Sequence, residues 1–105
     1  MFARIRANAA KAERIQATRL ASDEELLAER IKKLLFSASF YNGRDQRAYD
    51  NLCKEMKQVG DKLRAQGGRE RWMRVRNRVQ ALCEEHWVGL SQYIYLLGDP
   101  PESGQ

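Results

Sequence analysis

Apolar residues recur along most of this chain at intervals of three and four, the spacing that lines one face of an α-helix. Leu27, Ile31, Leu34, Ala38 and Tyr41 make a first stripe, widened by Leu26 and Leu35. Tyr49, Leu52, Met56, Val59 and Leu63 make a second, bordered by Ala48, Cys53 and Gly60. Trp72, Val75, Val79, Leu82, His86, Leu90, Tyr93 and Leu97 make a third and longer one. Residues 2–19 are Ala-rich, with Phe2, Ile5 and Ile15 as their large apolar side chains, so this segment has high helix propensity and little to bury. No strand-like alternation interrupts these patterns.

The residues between the stripes carry stop and start signals. Ser22 and Glu25 stand at capping-box spacing, each able to satisfy the other's backbone amide, and Asp23, Glu24 and Glu25 suit the positive end of a helix dipole. Asn42-Gly43 and Gly67-Gly68 tolerate the left-handed backbone that ends a helix. Gly98 and Pro100-Pro101 close the last stripe. Gly60 lies inside the second stripe, where it costs about 1 kcal/mol against Ala and invites the close approach of a neighbouring helix.

These signals predict an all-α chain, an antiparallel helical bundle of four helices spanning 2–19, 23–41, 45–66 and 70–97, with a tail at 98–105. The last three form the core, Phe36, Phe40, Tyr41, Tyr49, Trp72 and Trp87 included, and the first is a looser, basic helix. Short joints set neighbouring helices antiparallel. A straight helix over 70–97 is roughly 42 Å long and overhangs its neighbour by roughly 10 Å. The overhang is Tyr93, Ile94, Tyr95, Leu96 and Leu97, apolar on every side, and it is the expected interface with a second copy of the chain.

Composition narrows the class. The chain has 105 residues, enough for one domain (1–105) and a modest core, too few for a core plus a deep substrate cleft. No apolar run approaches the roughly 18 residues of a membrane span, so no membrane is expected as a partner. The N-terminus lacks the continuous apolar core of a signal peptide, and Glu13 and the scarcity of hydroxyl residues argue against a mitochondrial presequence. Cys53 and Cys83 are too few for a disulfide framework and are expected to be free thiols of a cytoplasmic protein.

The net charge of +5 is concentrated in two places. Residues 1–20 hold Arg4, Arg6, Lys11, Arg14 and Arg19 against Glu13. Residues 69–78 hold Arg69, Arg71, Arg74, Arg76 and Arg78 against Glu70. The guanidinium fork matches phosphate, and five arginines near a helix N-terminus oppose its dipole, so this run, with Arg14 and Arg19, is the candidate contact for an anion, DNA or RNA. The bland alternative is that Asp23, Glu24 and Glu25, placed at the same end by an antiparallel arrangement, neutralise it.

Other constellations carry less. Cys83 and His86 are one helical turn apart and Cys53 could join them, yet no fourth ligand for a structural zinc is evident, so no metal is expected. A single histidine, with no phosphate-cradling glycine loop and no serine-centred motif, assembles no nucleophile and base. Neither a catalytic residue nor a cofactor is expected. The reading that remains is a non-catalytic interaction module acting through helix faces, with itself as a homodimer or another helical protein as partner. The alternative is a nucleic-acid-binding accessory protein.

Overall fold

The computed structural model describes residues 23–102, which form helices and no strand. A helix over 2–19, the Ser22 half of the capping box, and Arg14 and Arg19 lie outside the described residues. Helix α1 spans 23–41, α2 spans Gln46–Ala65 and α3 spans Gly68–Cys83. A short 3-10 turn, Glu84–His86, leads into the single turn α4, Trp87–Leu90, and then into a 3-10 helix, Ser91–Leu97. None of the described helices is long and apolar enough to cross a membrane.

The joints follow the turn chemistry. The amides of Asn42, Arg44 and Asp45 close on the carbonyls of Ala38 and Tyr41. Asp45 then caps α2, its Oδ1 accepting from the Ala48 amide at 3.0 Å. Lys62 and Arg64 in the last turn of α2 suit the negative end of its dipole. Gly67 and Gly68 turn the chain at φ 83° and 64°, backbone that most side chains resist, and α3 begins.

Contacts between elements fix their directions. Arg30 of α1 pairs with Glu55 of α2 at 3.1 Å, and the short turn between them makes the two helices antiparallel. Glu24 and Glu25 of α1 meet Arg74 and Arg78 of α3, while Phe36 meets His86 beyond the end of α3. Residue numbers rise together along those contacts, so α1 and α3 run the same way. Ile31, Leu35, Met56, Val59, Leu63, Val75, Val79 and Cys83 fill the space between the helices and are almost wholly buried.

The helix expected over 70–97 is not continuous. It stops at Cys83, and Glu84 takes φ 52° and ψ −127°, a conformation that ordinary side chains strain to reach. The chain then turns back along α2. Asn42 Nδ2 donates to the Tyr93 hydroxyl at 3.0 Å near the start of α2, and Arg64 Nη1 donates to the Leu97 carbonyl at 2.7 Å near its end. No glycine or proline marks this break, because its cause is burial and not local propensity. Turning back buries Leu90, Tyr93 and Leu97. Large apolar side chains contribute about 1.5–3 kcal/mol each when buried, against about 1–3 kcal/mol for one strained residue.

The expected overhang therefore does not form. Tyr93 and Leu97, members of both the third stripe and the expected interface, are buried in their own chain; Ile94 and Leu96 are half-buried, and Tyr95 alone of the five is exposed. Gly60 makes the close approach its position suggests. A β-carbon there would fall on the Leu97 carbonyl, within 2.7 Å of its carbon atom. Two aromatics expected in the core, Phe36 and Phe40, are exposed instead, together with Leu26. Leu52, Leu82 and Trp87 pack at the edge of the core rather than inside it.

Candidate functional site

The parallel course of α1 and α3 brings the first turn of α1 to the arginine run. Arg74 grips Glu24 through Nη2 at 2.8 Å and Nε at 3.3 Å, and the Nε of Arg71 stands 3.6 Å from the same carboxylate. Arg78 grips Glu25 through Nε at 2.6 Å and Nη2 at 2.8 Å, a two-pronged contact of the kind arginine makes with phosphate. The hydrogen bond from Arg74 holds the Glu24 carboxyl below its ordinary value; partial burial opposes this, and the charges of Arg74 and Arg71 add to it. Arg78 does the same for Glu25. Of the five arginines of the run, offered from sequence as an anion contact, three already face the carboxylates of Glu24 and Glu25.

The other two have different partners. Arg76 lies over the Trp87 ring at 5.4 Å from its centroid and donates to Asn77 and Gln80 at 3.5 Å. Arg69 donates to the Pro101 carbonyl at 3.4 Å. Beside the run, Asp23, Glu24, Gln66, Gly67, Arg71 and Arg74 line a shallow cleft of about 360 Å³. Two carboxylates and two guanidinium groups share that cleft, so its lining charges balance. A phosphate bound there by Arg71 and Arg74 would compete with Glu24 for both.

Cys83 and His86 do not share a face. The break at Glu84 leaves Cys83 buried, its thiol pushed up by desolvation against the opposing charge of Lys32, whereas His86 is exposed and meets the edge of Phe36 at 5.4 Å. Cys53 is half-buried, and both thiols are free. Among the described residues, no group of three or more histidine, cysteine or acidic side chains is placed to hold a metal ion. Tyr95 lies by Tyr49, whose phenol is pushed up to about 12, first by desolvation and then by the Tyr95 hydroxyl.

Sequence reasoning missed two features. One is Arg64, which donates to the carbonyls of Leu97 and Asp99, pairs with Asp61, and lies over the Trp72 ring at 5.6 Å. It fastens the end of the returning segment to α2. The other is the outward side of α1. Opposite the buried stripe run Leu26, Glu29, Lys33, Phe36 and Phe40, again at intervals of three and four. Leu26 is 67% exposed and Phe40 57%. At 3.6 residues per turn the five positions fall within about 80° of the helix circumference. The spacing was visible in the sequence, but two charged residues at its middle disguise it as a solvated face.

The two aromatics of this stripe are held in place from behind. Phe36 rests edge-on against His86, and Phe40 against Tyr41 at 5.2 Å. The Arg44 guanidinium sits 4.8 Å from the Phe40 centroid while donating to the Phe40 carbonyl at 3.3 Å. Comparison with protein-family models, with curated proteins and with solved structures finds no match for this chain.

Proposed function

We propose that this chain is a non-catalytic interaction module that binds a helical protein, a second copy of itself included, through the outer face of α1. The observation that carries this reading is the pair Phe36 and Phe40, one helical turn apart and exposed on a helix whose opposite side is core. Aromatics fixed by their own neighbours lose little side-chain freedom on binding, which is why such residues dominate the energetics of interfaces. The candidate chemistry elsewhere supports the same choice. The thiols and the imidazole are separated, and the cleft by the arginine run is filled with opposing charges.

A second reading keeps one observation in its favour. Arg69 and Arg76 are in no ion pair among the described residues. With Arg14 and Arg19 they would serve an accessory protein on DNA or RNA. Titrating labelled DNA and RNA with the full chain at ~50 mM salt separates the two readings, since non-specific basic binders associate under those conditions at micromolar protein. The interaction module is expected to leave both probes unbound. Binding whose salt slope falls by about two units in the Arg69→Ala, Arg76→Ala double variant would replace it with the nucleic-acid reading.

A further inference from the structure

The outer stripe of α1 has a property that its apolar residues alone do not reveal. Leu26, Glu29, Lys33, Phe36 and Phe40 follow the three-four alternation of a coiled-coil seam, on the side of the helix away from the core. In an antiparallel pair of such helices, each position of one type faces a position of the other type. Set about a twofold axis through position 31, Leu26 falls opposite Phe36, and Glu29 falls opposite Lys33. Over these four positions the pattern reads the same from either helix, the requirement for an isologous contact between identical chains, and Phe40 lies beyond them.

Charge decides the orientation. An antiparallel pair makes two layers of opposite sign from Glu29 and Lys33. A parallel pair in register sets Glu29 against Glu29 and Lys33 against Lys33, and like charges across an interface are costly. Among the described residues neither Glu29 nor Lys33 is in an ion pair, although Glu29 stands close enough to Arg78 to favour its charged form. The apolar layers flank the charged ones, with Phe36 supported by His86. We propose that the outer stripe of α1 is a self-association surface that takes a second copy of this chain, antiparallel, with Leu26 against Phe36 and Glu29 against Lys33. This rests on the interaction-module reading and names its partner. The paired seam from Leu26 to Phe36 is about 15 Å of helix, short for a permanent interface, so the association is reversible and follows concentration.

Sedimentation of the full chain between about 1 and 200 µM tests it, a range that brackets the affinity of a small reversible interface. The mass of the wild type is expected to rise from the 12.2 kDa of one chain towards twice that value. Glu29→Lys alone, or Lys33→Glu alone, should weaken association by about tenfold or more, because each makes both central layers alike in charge. The double exchange Glu29→Lys with Lys33→Glu, and an equimolar mixture of the two single variants, should restore it. Circular dichroism of every variant should show unchanged helix. A wild type that stays at one-chain mass at 200 µM overturns the proposal, the stripe then being covered by another segment of the chain or by a different protein. Single variants that associate as the wild type does also overturn it. Both results leave the module reading in place, since that reading is decided by the nucleic-acid titration.

Discussion

The Leu97 carbonyl occupies the place where residue 60 would carry a β-carbon, so Gly60 and Leu97 meet through backbone alone. The contact joins the C-terminal part of α2 to the last turn of the returning segment. It sets how deeply Leu97 sits in the core, and with it Tyr93 one turn earlier. Gly60→Ala is expected to destabilise the chain by about 1–3 kcal/mol, as overpacking in a dense core does. Gly89→Ala is the contrast, because nothing lies within 4 Å of a β-carbon there. Its effect should be a gain of about 0.5–1 kcal/mol from helix propensity. Urea melts of the two variants check the pair of signs, and a neutral Gly60→Ala would contradict the contact.

Glu84 should respond in the opposite sense to most substitutions. Its φ of 52° is native to glycine and strained for glutamate. Glu84→Gly relieves that strain at the cost of a more flexible unfolded chain, for an expected net gain of about 1 kcal/mol. Thermal and urea unfolding should both register it. A loss of stability would mean that the carboxylate does something the backbone geometry does not show.

The carboxylates on the arginine run make the fold sensitive to acid. The folded chain holds Glu24 below its ordinary value of 4.5, chiefly through the Arg74 hydrogen bond. A depressed carboxylate contributes stability that is present above the unfolded value and lost as pH falls through the folded one. Melting temperature is therefore expected to fall between about pH 5 and pH 3, and Glu24→Gln should flatten that part of the profile. An unchanged profile in the variant would remove Glu24 from the account.

Core substitutions should rank by burial. Met56→Ala, at a side chain with no exposure, is expected to cost about 2–5 kcal/mol, whereas Leu52→Ala and Leu82→Ala at the core edge should cost less. Equal losses at all three, measured by urea melts, would place the core boundary elsewhere.

Three of the helices are legible in the sequence because their stripes, caps and turns agree with one another. The turns at Asn42-Gly43 and Gly67-Gly68 and the close approach at Gly60 all follow from residue chemistry that acts locally. The break at Glu84 is not legible. The apolar stripe continues through it without a fault, and only competition for a place in the core reveals the reversal. The same limit applies to the arginine run. Five like charges on one segment suggest a ligand, but which of them meet carboxylates depends on the relative direction of α1 and α3. By residue type alone, Phe36 and Phe40 belong to the core. A helix has two sides, and hydrophobicity alone does not say which one is covered.

The segment that doubles back after Glu84 is tied to the rest of the molecule by contacts that span much of the chain. Asn42 reaches Tyr93 across 51 residues, and Arg64 reaches Leu97 across 33, whereas α2 and α3 are joined by a turn. Loop closure makes distant pairings late events, so the α2–α3 hairpin is positioned to form before the segment docks. Substitutions at Tyr93 or Leu97 then act on how fast the native chain opens rather than on how fast it forms. The C-terminal latch is therefore expected to govern the lifetime of the folded state, and the hairpin it closes over the speed of reaching it.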